Sequence, residues 1–209
     1  MRPRDPGKAE KIRRMAVEML VVEGIDGFSM QKLARAAGVS PATLYIHFKD
    51  REDLLYQLWV EQNQALTDAF LEDFDPLAPF EEGLWIQWRN RIRFFREHQL
   101  AWRFLEQVRH SALMATYGEL PNIPLFEAMG TFVTTAIARG ELSDFGMGAA
   151  GEANFPKGIF WSLAYAPLYE LLRLEAKGEA RGPGQGRPLK LDDPTLRLVF
   201  DRVLRSLRP

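Results

Sequence analysis

The sequence predicts an all-α fold of about nine helices. Apolar residues recur with helical spacing along most of the chain, no segment alternates apolar and polar residues as a half-buried strand does, and capping residues mark the turns. A chain of 209 residues is long enough to form one large core or two smaller ones.

The composition excludes several classes of protein and site. The hydrophobic share of 46% and the charged share of 26% are those of a soluble globular protein. The absence of cysteine excludes disulfide frameworks, thiolate metal sites and cysteine nucleophiles. The sequence has no secretory signal, and the apolar run from Met15 to Val22 is too short to cross a bilayer. We therefore expect a cytoplasmic protein with no membrane partner.

The first two helices are predicted from apolar stripes and caps. The first helix starts near Lys8, and Gly24 is expected to end it because glycine readily closes a helix in the left-handed conformation. Ser29 is the expected cap of the second helix, since its hydroxyl can accept from a free backbone N–H. Phe28 and Leu33 are spaced for an apolar contact across that cap.

The segment GVSPATLYIHF, from Gly38 to Phe48, predicts a short third helix after a tight turn. Ser40 is its expected cap, and Pro41 fits the first helical position, where a missing N–H costs nothing. A rotation of about 100° per residue directs Leu44 and Phe48 inward. Two short helices joined in this way form a helix-turn-helix.

The outward face of the third helix has a different chemistry. Ala42 and Ile46 are expected to point directly outward, and Thr43, Tyr45 and His47 flank them with hydrogen-bonding tips. This helix therefore presents small and amphipathic side chains on the surface that it does not bury.

The remaining helices are predicted from periodicity and breakers. Asp50 is expected to cap a long fourth helix that runs to about Phe74, where Asp-Pro interrupts it. Residues 178–188 are too rich in glycine and proline for a helix and are expected to form a mobile loop. Later helices are expected near residues 80–97, 100–115, 124–139, 154–177 and 192–208.

Charge is unevenly distributed along the chain. Residues 1–49 hold nine Lys and Arg against five Asp and Glu, a net charge of +4, and the remainder holds eighteen against twenty-three, a net charge of −5. A basic N-terminal quarter on an acidic body is what nucleic-acid binding by one end requires, although a solvated surface gives the same pattern.

The stretch from Gly24 to Leu55 resembles the DNA-binding domain of the TetR family of bacterial transcriptional regulators. The resemblance rests on Gly-x-x-x-Phe-Ser before the second helix, Ala-x-x-Ala-Gly-Val-Ser at the turn, and Thr-Leu-Tyr-x-His-Phe in the third helix. The resemblance also includes acidic residues and leucines at the start of the fourth helix. Arg51 replaces the lysine usual in the family, but arginine still donates to phosphate.

This resemblance implies a helix-turn-helix DNA-binding domain over residues 1–50, with the motif at about 29–48, and a helical ligand-binding and dimerisation domain over residues 51–209. Tyr45 and His47 would contact phosphates or base edges. Ala42 and Ile46 could touch thymine methyl groups. The full expected DNA-binding set is Ser29, Ser40, Pro41, Ala42, Thr43, Tyr45, Ile46, His47, Lys49 and Arg51.

The resemblance also implies an effector pocket in the second domain, lined by part of its aromatic residues. Arg89, Arg93 and Arg96 share a helix face, with Arg91 beside them. Such a run is more often a solvated face, but arginine forks also match carboxylates and phosphates. The expected ligand-binding residues are Trp85, Trp88, Arg89, Arg93, Trp102, Trp161 and Tyr165.

Several other patterns favour no catalytic or metal site. The segment from Gly146 to Gly151 matches G-x-G-x-x-G, but no strand is predicted before it, so we interpret it as an inter-helix loop. His98 and His110 lack metal-ligand spacing. No serine occupies a G-x-S-x-G turn. We expect no enzyme activity, no cofactor and no metal.

Two hypotheses follow. The first is a transcriptional regulator, a repressor that a small and largely apolar effector releases from double-stranded operator DNA. The second is a helical ligand-binding or assembly protein that does not use its DNA-binding module. We also expect a homodimer through helices near 154–177 and 192–207. The apolar stripes behind this expectation are Leu168, Leu171 and Leu172, and Leu196, Val199, Phe200 and Val203.

Overall fold

The computed structural model describes residues 6–113, 117, 124–144, 159–179 and 191–209. These residues form nine helices and no strand, so the all-α prediction is confirmed for them. The helices are α1 (Pro6–Gly27), α2 (Met30–Ala37), α3 (Pro41–His47), α4 (Arg51–Leu71), α5 (Phe80–Glu97), α6 (Gln99–Arg109), α7 (Pro124–Ala138), α8 (Ile159–Glu179) and α9 (Asp193–Leu207).

The chain divides into two compact units. Unit 1 comprises Met1–Asp68 and Arg96–Pro121, and unit 2 comprises Ala69–Phe95 and Asn122–Pro209. Helices α4 and α5 each contribute residues to both units. This is a division by compactness, and the functional boundary expected after residue 50 stays a prediction.

Helix α1 is interrupted at the glycine that was expected to end it. Gly24 has φ 77° and ψ 169°, which are not helical angles, but one further helical turn continues to Gly27. Lys32 fastens this turn to α2, because its Nζ donates to the Gly27 carbonyl at 2.8 Å and pairs with Glu23 at 2.6 Å. The first regular helical segment therefore ends at Gly24, as predicted, and a separate turn follows after the kink.

The caps of α2 and α3 are confirmed. Ser29 Oγ accepts from the backbone N–H of Lys32 at 3.3 Å, and Ser40 Oγ accepts from that of Thr43 at 3.2 Å. Gly38, at φ 67°, closes α2 in the left-handed conformation that glycine adopts without strain. These local hydrogen bonds set the lengths of the two short helices.

One apolar core holds α1 to α4 and α6 together in unit 1. Leu44 and Phe48 expose 0% and 1% of their surface, as their inward spacing predicted. The core around them includes Ile12, Ala16, Leu20, Phe28, Leu33, Leu54, Leu58, Phe104 and Val108. Since α2 and α3 have only eight and seven residues, this burial supplies the stability that such short helices lack alone.

Helices α4 and α6 end earlier than the periodicity predicted. Asp50 caps α4 by accepting from the backbone N–H of Asp53 at 2.8 Å, as expected, but α4 ends at Leu71 rather than near Phe74. Helix α6 ends at Arg109, not at about residue 115. The Ser111 hydroxyl donates to the Val108 carbonyl at 2.7 Å and accepts from Leu113 N–H, and these bonds replace the next helical turn.

In unit 2, two buried amides on α5 satisfy carbonyl groups at the end of α4. Gln87 Nε2 donates to the Phe70 carbonyl at 2.7 Å, and Asn90 Nδ2 donates to the carbonyls of Phe70 at 3.1 Å and Glu72 at 2.7 Å. The last carbonyls of a helix have no partner within it, so these side chains compensate for the end of α4.

The C-terminal helices correct two expectations. Helix α8 continues through Gly178 to Glu179, so the loop prediction for 178–188 was wrong at its first two residues. The rest of that loop, the predicted helix start at 154–158 and the Gly146–Gly151 segment lie outside the described residues. Of the helices that the structure describes, none combines the length and apolar content that a bilayer crossing requires.

The apolar side chains on which the homodimer prediction rests are mostly buried within unit 2. Leu168, Leu172, Leu196, Phe200 and Val203 are all buried in the single chain. A partner would therefore have to contact other side chains of α8 and α9.

Gly83 allows α5 to approach α7 closely, and this predicts a costly substitution. A Cβ at this position would lie 2.8 Å from Phe132 Cζ and closer still to Cε2. Gly83→Ala should lower the free energy of unfolding by about 1–2 kcal/mol, because overpacking outweighs the gain in helix propensity. Urea denaturation of Gly83→Ala, Phe132→Leu and the double variant tests this. Additive effects of the two substitutions would contradict the proposed clash.

Candidate functional site

The exposed face of α3 carries the candidate nucleic-acid interface. Tyr45 and Ile46 are 55% and 63% exposed, and Pro41 and Ala42 are also exposed. On the opposite face of the same helix, Leu44 is completely buried. The two faces are thus separated as the sequence predicted.

The polar side chains at the edges of this face are partly ordered by local hydrogen bonds. Ser40 Oγ and Thr43 Oγ1 lie 2.9 Å apart and form a hydrogen bond at the first turn of α3. Thr43 and His47 are half-buried, and the His47 ring lies beside that of Phe48. The exposed Ser40 hydroxyl thus lies at the helix N-terminus, where backbone N–H groups favour an anion.

The guanidinium group of Arg51 forms its contacts within the protein. Its Nη2 donates to the Ile25 carbonyl at 2.6 Å, its Nε donates to the Phe28 carbonyl at 3.4 Å, and its Nη1 lies 3.3 Å from a carboxylate oxygen of Glu52. This guanidinium therefore links the start of α4 to the end of α1 and the turn before α2. Sequence reasoning placed a phosphate contact at this residue and did not anticipate these internal bonds.

Lys49 and Ser29 have different surroundings. Lys49 is exposed, and its backbone N–H donates to Asp53 Oδ2 at 2.8 Å, so the main chain is fixed while the ammonium group faces solvent. Ser29 is half-buried and serves as the cap of α2. Arg35, on the exposed side of α2, adds a surface cation that sequence analysis did not single out.

The predicted ligand-binding aromatics of unit 2 form two groups. Trp88 is fully buried, donates from Nε1 to the Ala164 carbonyl at 3.0 Å, and packs edge-on against Phe200. Trp85 also packs against Phe200, with ring centroids 4.8 Å apart. Trp161 and Tyr165 pack against each other on α8, 4.6 Å apart. Trp102 belongs to α6 in unit 1, so the predicted set is divided between the units.

The arginines expected to clamp an anion do not share one environment. Arg89 is exposed. Arg93 forms a two-pronged ion pair with Glu72, whose Oε1 accepts from Nη1 at 3.2 Å and whose Oε2 accepts from Nη2. Arg96 is exposed and belongs to unit 1. Arg93 is thus already paired with a carboxylate.

Arg91, which sequence analysis left beside that cluster, is the buried cation of α5. It is 0% exposed, and its Cζ lies 4.3 Å from the ring centroid of Phe70 and 4.0 Å from that of Tyr165. The burial of Arg91 could have been predicted from the sequence, because Leu84, Trp88 and Arg91 follow the i, i+4, i+7 spacing of the buried stripe.

Tyr165 lies against Arg91 and is also completely enclosed. Burial raises the pKa of Tyr165 to about 12, although the neighbouring Arg91 charge acts in the opposite direction. Within the part of the chain that the structure describes, its hydroxyl has no hydrogen-bond partner. The phenol is therefore neutral at physiological pH and retains an unused O–H donor.

Comparison with protein families agrees with the geometry of unit 1. The model described as "Bacterial regulatory proteins, tetR family" matches residues 12–58. This match runs from within α1 to the first turns of α4, and it includes α2, the turn and α3.

Two curated relatives match parts of the chain. An uncharacterized HTH-type transcriptional regulator of Haemophilus influenzae is 30% identical over 122 residues, which cover 58% of this chain and 60% of the relative. A fatty acid metabolism regulator protein of Bacillus subtilis is 33% identical over 69 residues, which cover 33% of this chain and 36% of the relative. The chain thus spans less than two thirds of either relative.

The fold match extends over the whole chain. A TetR family transcription regulator from Marinobacter aquaeolei superposes with a TM-score of 0.74 at 24% identity, covering 100% of this chain and 99% of the other. That level of identity establishes the fold alone. Taken together, residues 12–58 match the tetR family of bacterial regulatory proteins, and the whole chain shares the fold of a TetR family transcription regulator.

Proposed function

We propose that this protein is a sequence-specific DNA-binding transcriptional regulator whose α3 enters the major groove. The observation that carries the proposal is the division of α3 into a buried face, with Leu44 at 0% exposure, and a face on which Tyr45 and Ile46 are more than half exposed. A helix held by one face and open on the other is the element that a helix-turn-helix inserts into DNA.

The chemistry of the exposed face suits both positioning and base reading. Ala42 and Ile46 offer only apolar contact, which in the major groove is available at thymine methyl groups. Tyr45 and His47 supply polar tips for phosphates or base edges, and Lys49 supplies an exposed ammonium group for a phosphate. Ser29, Ser40, Pro41 and Thr43 complete the backbone-contacting set at the starts of α2 and α3.

A homodimer is the second part of the proposal. Although the main stripes of α8 and α9 are buried, both helices retain large apolar side chains on the surface: Leu174 is 42% exposed and Leu198 is 59% exposed. On α8, the partly exposed Leu163, Pro167 and Leu171 continue the stripe toward Leu174 with helical spacing. Two such surfaces related by a twofold axis would form a four-helix interface.

The third part is release of DNA by a small, largely apolar effector, which makes the protein a repressor. Support comes from the aromatic content of unit 2 and from α4, which contributes residues to both units. A ligand that binds better to the DNA-free conformation must weaken DNA binding by its differential affinity, and coupling of about 1–3 kcal/mol corresponds to about 5–150-fold. The alternative, an assembly protein that does not use its DNA-binding module, requires no DNA affinity.

The function is tested by selecting binding sites from random duplex DNA with the purified full-length protein. We expect an inverted repeat with half-sites about 10–10.5 base pairs apart, or a multiple of this spacing, and an affinity that falls steeply with salt. Failure to enrich any site, with weak binding at 50 mM salt, would favour the assembly protein.

Substitutions on α3 should separate base reading from positioning. Ile46→Ala should lower the preference for the selected site over scrambled DNA by about 5–150-fold, the value of about 1–3 kcal/mol of base discrimination. Tyr45→Ala should weaken binding to both DNAs. Val22→Ala, a control at an 80% exposed position on α1, should change neither. Fluorescence anisotropy provides the affinities, and equal loss on both DNAs for Ile46→Ala would refute methyl recognition.

Arg51→Ala and Lys49→Ala should weaken DNA binding for different reasons. Arg51→Ala removes charged hydrogen bonds to the carbonyls of Ile25 and Phe28, so it should lower the free energy of unfolding by about 1.5–3 kcal/mol and also weaken DNA binding. Lys49→Ala should leave stability unchanged and reduce the salt dependence of binding by about one phosphate contact. Urea denaturation and salt titration measure the two quantities. Equal stability of the two variants would contradict the structural role of Arg51.

The dimer is tested at the two exposed leucines. Leu174→Arg combined with Leu198→Arg should yield a monomer at about 10 μM, because two arginines replace apolar contact area without disturbing the core of unit 2. Size-exclusion chromatography with light scattering measures the mass. Leu100→Arg, at a 41% exposed position on α6, is the matched control and should remain dimeric. A monomeric wild-type protein would refute this interface.

A further inference from the structure

We propose that Arg91 binds the carboxylate of the effector, so that the regulating ligand is a monocarboxylate with an apolar body. This inference rests on the proposed effector-responsive function, and it names the chemical class of the ligand and the residue that selects it. It replaces the expectation that Arg89, Arg93 or Arg96 would bind an anionic group.

The hydrogen-bond donors of Arg91 are only partly used. A guanidinium has five N–H donors. The Nε–H donates to Tyr169 Oη at 3.2 Å, and Nη1 donates to the Gln87 carbonyl at 3.1 Å and to the Gln87 side-chain oxygen. Nη2 is buried and has no hydrogen-bond partner among the described residues, which leaves two N–H groups for an acceptor.

The positive charge of Arg91 is also buried. Among the residues that the structure describes, no Asp or Glu forms an ion pair with it, although it has no exposed surface. The buried Glu175 has another role, since it accepts from the Leu191 backbone N–H at 3.0 Å. A buried cation without an ionic partner is costly, and a bound anion would offset this cost.

The surroundings specify what the counter-ion must be. The rings of Phe70, Tyr165 and Trp161 lie 4.3, 4.0 and 5.4 Å from Arg91 Cζ, so the body of the ligand meets aromatic surface. The unused groups, Arg91 Nη2 and the Tyr165 hydroxyl, are donors, and an ionised carboxylate is purely an acceptor. One cation matches one negative charge, which favours a carboxylate over a doubly charged phosphate.

Arg91 is connected to the end of α4 by two hydrogen bonds. Gln87 accepts from Arg91 through its side-chain oxygen and donates through Nε2 to the Phe70 carbonyl. Because Arg91 is fully enclosed, a ligand can reach it only by displacing neighbouring side chains. A ligand that changes these contacts would bind with different affinity to the DNA-bound and DNA-free conformations. A regulatory ligand must have such a difference in affinity.

The test uses matched pairs of probes on the full-length protein: decanoate with decan-1-ol, and 3-phenylpropanoate with 3-phenylpropan-1-ol. Each pair shares an apolar body and differs in the headgroup. At ten times its Kd, a carboxylate should raise Tm by about 3–6 °C, whereas the alcohol at the same concentration should have a smaller effect. Calorimetric titration provides the Kd. If neither carboxylate binds at least tenfold more tightly than its alcohol, the proposal is overturned.

Arg91→Met and Arg89→Met provide the matched variants. Arg91→Met should abolish the preference for carboxylate and leave the Tm without ligand equal to or above that of the wild type, because a hydrophobic side chain replaces an unpaired buried charge. Arg89→Met removes an exposed cation from the same helix and should retain the preference. Retained carboxylate preference in Arg91→Met would overturn the assignment. The headgroup preference of the wild type decides the matter without a variant if Arg91→Met fails to fold.

DNA binding is measured separately, so that the two proposals can fail independently. A wild-type protein that prefers carboxylate but binds no DNA would refute the proposed function and keep the site. A protein that binds DNA without any headgroup preference would refute the site and keep DNA binding. If both hold, the carboxylate should weaken DNA binding by the same factor by which DNA weakens carboxylate binding.

Discussion

The surface presented by α3 depends on the burial of two side chains. A helix of seven residues is not stable alone in water, and α3 holds its conformation because Leu44 and Phe48 are enclosed by the core of unit 1. That burial also fixes the rotation of the helix about its axis, and therefore which residues remain outside. Ser40 limits the helix at one end, so both its orientation and its start are determined by residues that need never touch a ligand.

The elements that could be predicted from the sequence are those governed by neighbours along the chain. Caps at Ser29, Ser40 and Asp50 act over three residues, and their hydrogen bonds are present. The inward spacing of Leu44 and Phe48 is likewise a property of one helix. Such features require no knowledge of tertiary structure, which is why the N-terminal elements were predicted nearly in full. The ends of α4 and α6 were less accurate because turn hydrogen bonds compete with helical ones.

Two arginines have internal contacts that depend on residues distant in sequence. Arg51 reaches the carbonyl of Ile25, 26 residues away, and Arg91 lies against Tyr169, 78 residues away. Charged residues are exposed so often that sequence patterns favour a surface role. In both cases an arginine bonds to groups within the fold, and only the packed structure identifies those groups. Helical spacing could have identified Arg91 as buried, but it could not have identified its partners.

The length of α4 makes small rotations significant. A helix of 21 residues is about 31 Å long, so tilting it by about 5° about one end moves the other end by about 3 Å. That displacement is about the length of a hydrogen bond. In a helix of this length, a small change in tilt is therefore enough to make or break a contact at the far end. The side-chain packing along α4 therefore determines how much a tilt at one end displaces the other end.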